Sequence, residues 1–346
     1  MLDESLVQAQ TAVSVEQAQK HENLTVFPLS DGKGAPLAYQ LLIDALTAET
    51  LQITEVGSGT VPTLLAENTA DVSVLILDGE QLIGAKQNRI TNRTIILAAH
   101  SKTEIPVTCM EQGRWRFDAR DFKPSPKARH APTRVRKHAR KIEAAYAAEP
   151  QLASASALRG AQSGVWSEIS ELSMGVGADS PTGAMDALYD AREADLDTWL
   201  GAFALAENQV GLLAFLGDRP LGMDLIGDPQ IYARLHERLL GGYVMDALAD
   251  RGRNQEEVDA AIARDFVGVV KTAQRAQAPT VGLGTYRLLA GDVVGGELED
   301  EGHTVHLSAF PARDERGRGR RSTGSRALEQ PLAPPSRRRR RHGGEG

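Results

Sequence analysis

At 346 residues, 41% apolar and 25% charged, the chain is long enough to bury one large core or two ordinary ones. A single cysteine, Cys109, excludes an internal disulfide framework and suits a reducing compartment. The net charge of −7 is split: residues 311–346 hold eleven Arg against four acids, which leaves residues 1–310 at −14, too acidic for broad affinity for nucleic-acid phosphates.

Residues 1–20 are polar and rich in Gln and Ala, a loosely ordered segment with at most a loose helix. Acidic residues stand where a signal peptide needs a basic flank, and no run of 18 apolar residues is present to span a membrane. The chain therefore reads as soluble and cytoplasmic. From 24 to 117 strands dominate. LTVFPL opens the sheet, a short helix is expected over 37–46, and LQITEV, VPTLLAEN, VSVLIL, TIILAA and IPVTCME follow at the spacing of an antiparallel sandwich or open barrel. Between 118 and 141 nine Lys/Arg face two acids, with Pro124, Pro126 and Pro132 interspersed, as in a basic linker entering a helix over 134–148.

Helical signals continue to 276. Ser180 before Pro181 is a start signature for a helix that buries Leu188, Leu196, Trp199, Leu200 and Phe203. Ile231, Leu235, Leu239 and Val244 form a second apolar stripe, and Asn254 with Glu257 makes a capping pair ahead of Val258, Ile262, Phe266 and Val269. Strands return between 281 and 310. The fold class is α+β: an antiparallel, sandwich-like N-terminal half, a largely helical second half and returning C-terminal strands, in one domain over 21–310. The Arg-rich tail, 311–346, lacks apolar residues to offset the entropy of ordering and reads as disordered, with weak nucleic-acid contact left to its arginines.

The densest chemistry lies in DGEQLIGAKQNRITNR, residues 78–93. Asp78-Gly79 after an apolar run signals a type I′ hairpin, and LILDGEQLIG at 75–84 is echoed by LAFLGDRPLG at 213–222, as a duplicated hairpin would be. The return carries Glu80, Lys86, Gln87, Asn88, Arg89, Asn92 and Arg93, more polar groups than a sheet edge needs. Over 105–111, alternation puts Glu111 on the face of Ile105, Val107 and Cys109, aimed inward, where a carboxylate needs a partner or a raised pKa. Arg114 and Arg116, with Trp115 between them, follow the turn at Gln112-Gly113 and are the nearest partners. Cys109 has no base placed beside it and reads as a buried thiol. His303 and His306 fall on opposite faces of a strand, so zinc is not expected, and VGLGTYR at 281–287 lacks the ending of a phosphate loop. Gln162-Ser163-Gly164 reads as a helix start or turn.

GAKQNR, then CMEQGRW, then SGVW at 163–166, resemble the ARG and rhodanese-phosphatase-superfamily-associated domain family, over about 24 to 310. The family's name records association with ADP-ribosylglycohydrolases and phosphatases. The resemblance therefore implies ADP-ribose or phosphorylated-nucleotide metabolism, and a function shared by Glu80, Lys86, Gln87, Asn88, Arg89, Glu111, Arg114 and Trp115. It supplies no mechanism.

Two readings of these residues follow. In the first they bind or process a small anionic, phosphate-bearing ligand of nucleotide or ADP-ribose type. Lys86, Arg89, Arg114 and Arg93 would neutralise it, Gln87 and Asn88 read its polar edges, and Trp115 stack on a base. Glu80 and Glu111 would be the catalytic acid and base, or ligate a divalent cation, although no motif specifies a metal or cofactor. In the second reading the protein is a non-catalytic structural or interaction protein, and the motif is a buried hydrogen-bond network that fixes the hairpins. One site requires Glu80, Gln87, Arg89, Glu111 and Arg114 to converge on one concavity.

Overall fold

Strands with one solvent face and strands buried on both faces are separated here by sequence alone, as alternating or continuous apolar runs. The computed structural model describes residues 13–31, 37–57, 62–84, 86–113, 122–124, 129–148, 155–253 and 256–312. The chain divides into two units, Met1–Arg313 and Asp314–Gly346. The second unit, which holds most of the Arg-rich tail, lies outside the described residues, as do Arg114, Trp115 and Arg116.

The first half runs β1 (Val13–Val15), β2 (Gln19–His21), β3 (Leu24–Asp31), β4 (Gln40–Leu41), α1 (Leu42–Thr47), β5 (Leu51–Glu55) and β6 (Thr63–Asn68). It continues through β7 (Val74–Ile76), β8 (Gln81–Gly84), β9 (Arg89–Thr91), β10 (Ile95–Leu97), β11 (Ser101–Cys109) and β12 (Phe122–Pro124). Four helices follow: α2 (Thr133–Ala148), α3 (Ala155–Val176), α4 (Met185–Ala191) and α5 (Glu193–Leu200). The hairpin β13 (Gln209–Leu216) and β14 (Arg219–Ile226) precedes α6 (Pro229–Ala249) and α7 (Ala260–Thr272). The chain returns through β15 (Gln274–Gln277), β16 (Thr285–Ala290), β17 (Val293–Asp300) and β18 (His303–Pro311). The α+β class expected from the sequence is what the chain adopts.

Three sheets result. The largest has the order β1-β3-β13-β14-β18-β17-β16-β15, with β2 also on β3; a second is β10-β7-β4, and the third is β12-β8-β9-β11-β6-β5. Among the described residues every strand pairing is antiparallel except β4 with β7. All eight residues of β13 are buried, as a continuous apolar run at the centre of a covered sheet should be. One face of this sheet packs Phe27, Leu213 and Phe215 against Phe266, Val267 and Val270 of α7. The other packs Val26, Leu212 and Ala214 with Leu235, Leu239 and Tyr243 of α6. A third core lies among Leu64, Ile76, Ile95 and Ile105 of the two smaller sheets.

Several local expectations differ from the structure. Residues 13–21 pair with β3 as strands rather than forming a loose helix, because β3 presents an open edge to them. Asp78-Gly79 is a turn but not a hairpin. Positive φ occurs at Gly79 alone (80°), whereas type I′ requires it at both central residues, and the chain leaves β7 for β8 in another sheet. The echoing segment is a true hairpin, β13–β14, with Gly217 at φ 59°. The likeness of the two segments is thus one of sequence and not of fold. Ser180 precedes a turn, its Oγ accepting the Ala184 N–H at 2.8 Å, and the helical signal divides into α4 and α5. Asp259, immediately before α7, supplies the cap expected from Asn254 and Glu257, accepting from the Ala261 N–H at 2.7 Å. Gln162, Ser163 and Gly164 lie within α3. α6 begins as its sequence dictates, with Pro229 in the first turn and Asp228 accepting from the N–H groups of Gln230 and Ile231.

Candidate functional site

The Asp78-Gly79 turn carries the chain from β7 in the second sheet to β8 in the third. Gly79 donates its N–H to Thr91 and accepts from the N–H of Ala131, so the segment entering α2 is laid across the turn. A side chain at Gly79 would meet Arg136 Cδ at 2.9 Å and His130 Cε1 at 3.0 Å, and the positive φ already selects glycine.

α2 then sends two arginines, four residues apart and so on one face, into the interior. Arg136 Nη2 lies 3.1 Å from Asp78 Oδ1 and 2.6 Å from Asp224 Oδ1, while its Nη1 donates to Asp224 Oδ2 at 2.8 Å. Arg140 Nη2 donates to Asp78 Oδ2 at 2.5 Å and to Ser308 Oγ at 2.9 Å, and its Nη1 meets the Tyr286 hydroxyl. Asp224 and Ser308 are directly opposite on β14 and β18, and His306, two residues before Ser308, shares their face. The Tyr243 hydroxyl from α6 donates to Asp224 at 2.6 Å, and His306 Nε2 lies 3.2 Å from it. Asp78, Arg136, Asp224 and His306 are all at most 2% exposed. Burial by itself would raise both carboxyls, but the guanidinium charges outweigh it and hold Asp78 and Asp224 well below the usual carboxylate range. Asp78, Asp224 and His306 also present ligand atoms within 4.8 Å of one another, a plausible metal-binding set by donor type. Their carboxylate oxygens already accept from Arg136 and Arg140, so a cation would have to displace a guanidinium.

The motif residues fall into two places. Gln87 Nε2 donates to the Glu111 carbonyl at 2.8 Å, the Asn88 N–H donates to Glu111 Oε2 at 3.3 Å, and Arg89 Nη1 donates to the Gln87 carbonyl at 3.0 Å. Arg89 Nη2 is 3.7 Å from Glu55, and the Lys86 N–H reaches the same carboxylate at 3.4 Å. Cys109 joins this group through Gln87 Oε1, and burial pushes its thiol up to about 11. These residues are brought together, but as a knot of side-chain and backbone bonds in which Arg89 is fully buried. Glu80 faces different partners: Oε2 accepts the Leu77 N–H at 2.8 Å and Oε1 pairs with Arg238 at 2.6 Å. Burial raises its carboxyl, with Arg238 opposing. Arg93 pairs with Glu143, under the Tyr286 ring.

Beside Glu80 lies a cavity of about 310 Å³. His130 and Arg129, just before α2, line its interior with Tyr189, Leu196 and Arg238, while the exposed Glu193, Asp197 and Glu237 stand around it. Arg129 is held by Asp186 at 3.1 Å and Asp190 at 2.7 Å, and Arg238 by Glu80. His130 is 1% exposed, and neither ring nitrogen has a hydrogen-bond partner among the described residues. Burial, reinforced by the charge of Arg136, brings its imidazole down to about 3.

One family model, that of the ARG and Rhodanese-Phosphatase-superfamily-associated Protein domain, matches residues 12–310. The chain belongs to this family. No curated protein and no solved structure matches it. The family domain runs from just before β1 into the last strand, so the buried network, the motif and the cavity all lie within it. No helix among the described residues is long and apolar enough to cross a membrane.

The residues at the centre of the family domain were not those singled out by motif density. Asp78 reads as a turn residue, Arg136 and Arg140 as part of a basic linker, and Asp224 and His306 as isolated polar residues on strands. Two signals were present: the i, i+4 spacing of the arginines, and a lone Asp between Met223 and Leu225 in an otherwise apolar strand.

Proposed function

We propose that this protein binds a small phosphate-bearing ligand of nucleotide or ADP-ribose type, and that the cavity beside Glu80, rather than the GAKQNR segment, receives it. The observation that carries the reading is His130, a buried imidazole with both nitrogens unpartnered among the described residues, lining a cavity of about 310 Å³. Buried polar groups are almost always hydrogen-bonded, so an unpartnered imidazole in the wall of a cavity marks that cavity as the candidate ligand site. The volume is at the lower end for small-molecule sites, enough for one nucleotide-sized moiety. Arg129 and Arg238 supply guanidiniums for the anionic end, and a divalent cation accompanying the phosphate would offset Glu193, Asp197 and Glu237.

Thermal melts with ADP-ribose and AMP, each with and without Mg²⁺, test this. A ligand present at about 100 times its Kd adds roughly 2.7 kcal/mol to the folded state, a rise of several degrees, and the Mg²⁺-containing samples should respond more. No response to either nucleotide in any condition would refute it. The competing reading, a purely structural role, is favoured for GAKQNR itself, because Gln87, Asn88 and Arg89 bond to one another, to Glu111 and to backbone.

A further inference from the structure

We infer that the ligand's nucleobase packs on the bare backbone of α6 at Gly241, a helical position kept without a side chain so that the base has room. This rests on the cavity being the ligand site and adds which part of the ligand lies against which wall. Gly241 lines the cavity, on the same face of α6 as Glu237 and Arg238, four and three residues before it. A β-carbon built there would meet nothing within 4 Å among the described residues. The residue is nonetheless buried, so the space above it is the cavity's and not open solvent. Neither usual reason for a glycine applies. The backbone is α-helical, which demands no left-handed φ, and no neighbour among the described residues crowds the position. Gly242 supplies the contrast: a β-carbon there would lie 2.7 Å from the Ala131 carbonyl oxygen, so packing requires that glycine. A glycine inside a helix loses stability relative to alanine. At Gly241 the return on that loss is room in the cavity.

The walls decide what fills that room. Leu196 and Leu200 of α5, four residues apart and so on one face, line the cavity together with Gly241 and make its apolar side. Sugar hydroxyls set against such a wall would lose their hydrogen bonds to water, whereas the flat faces of a nucleobase need none. The guanidiniums of Arg129 and Arg238, oriented by Asp186, Asp190 and Glu80, stand in the same cavity. Arg238 is about 4.5 Å along the helix axis from Gly241. A phosphate drawn to the arginines therefore leaves the base of the same molecule within reach of the glycine.

The test titrates the full chain by calorimetry with AMP, ADP-ribose and ribose 5-phosphate in the presence of Mg²⁺. Wild type should bind AMP or ADP-ribose, and should bind ribose 5-phosphate, which lacks the base, about tenfold more weakly or less. Gly241→Leu, which fills the space over the helix, should weaken the base-bearing ligands about tenfold or more without lowering Tm. Arg129→Gln, at the phosphate end, should weaken them as well. Gly241→Ala should raise Tm by about 1 °C, since alanine is the better helix former and meets no neighbour, and should still weaken binding. If Gly241→Leu fails to fold, Gly241→Ala decides alone. A Gly241→Ala variant that melts below wild type would show that packing needs the glycine and would overturn the inference. So would ribose 5-phosphate binding as tightly as the base-bearing ligands, or unchanged binding by the folded Gly241 variants. If Arg129→Gln alone weakens binding, the cavity reading stands without the inference. Unchanged binding in the variants of both residues, or no binding of AMP or ADP-ribose to wild type, removes the cavity reading and the inference with it.

Discussion

Arg136 is the joint of the interior, and replacing it with Met, similar in length but uncharged, isolates its electrostatic role. The substitution strands two carboxylates, Asp78 and Asp224, each at most 2% exposed. Arg140 still holds Asp78 at 2.5 Å and Tyr243 still donates to Asp224 at 2.6 Å, so neither is left wholly bare. Breaking a buried pair in this way costs about 3–5 kcal/mol, which for a chain of this size is roughly 4–8 °C in Tm. The pH dependence follows from the low carboxyl pKa values of the folded state. A carboxyl depressed on folding contributes stability that is fully present above its unfolded value, about 3.9, and is lost as pH falls through the folded one. Arg136→Met forfeits that contribution at neutral pH. The gap between wild type and variant should therefore be widest at pH 6–8 and narrow below about pH 4. Urea unfolding followed by circular dichroism at pH 7 and at pH 3.5 measures it. A variant within about 1 kcal/mol of wild type at pH 7, or a gap that widens on acidification, would refute the assignment of Arg136 as the counter-charge.

Arg89→Ala should cost about 3 kcal/mol in urea unfolding, because it strands Glu55 in the interior, whereas an arginine poised for an absent ligand would melt within a few degrees of wild type. Asp228→Ala removes the α6 cap and the acceptor of the Leu37 N–H, and should lower stability by about 1–2 kcal/mol by the same measurement. Gly79→Ala combines a left-handed φ with contacts on Arg136 and His130, and should cost at least about 1–2 kcal/mol, visible as a lowered Tm. Cys109, 1% exposed and with its thiol near 11, should be about one part in a thousand thiolate at pH 8, so iodoacetamide should label it only on unfolding; rapid native-state labelling would contradict its burial.

Much of the N-terminal and C-terminal sheet was legible because a strand's side chains alternate. β13 and β14 instead fall in a stretch read as helical and showed only as an echo of residues 75–84, since a short continuous apolar run does not separate a buried strand from a buried helix. The Asp78-Gly79 turn misleads because turn chemistry fixes a local φ and says nothing about which sheet the next strand joins. The polar density of residues 78–93 was visible, but density does not distinguish a ligand site from a knot of internal bonds. Gln87 and Arg89 serve the second purpose, through Glu111 and Glu55, partners 24 and 34 residues away. Arg136 and Arg140 were hidden by their neighbours, since nine cations in a short stretch read as a solvated run until the helix sorts them into faces. No segment carries the coincidence that puts Asp224, Ser308 and His306 under those two guanidiniums. It is created by the register of β14 against β18.

The pairing of β3 with β13 has a consequence for how the chain is made. β3 leaves the ribosome about 180 residues ahead of the strand that flanks it. At roughly 5–20 residues per second, that is an interval of about 9–36 s, during which LTVFPL has no such neighbour. β14 and β18, which carry Asp224 and His306, emerge later still. Throughout synthesis, then, an apolar edge and a set of uncompensated charges coexist on one nascent chain. The yield of folded protein in a cell should depend more on translation speed and chaperone supply than on the stability of the finished molecule, and slower-growing, cooler cultures should favour it.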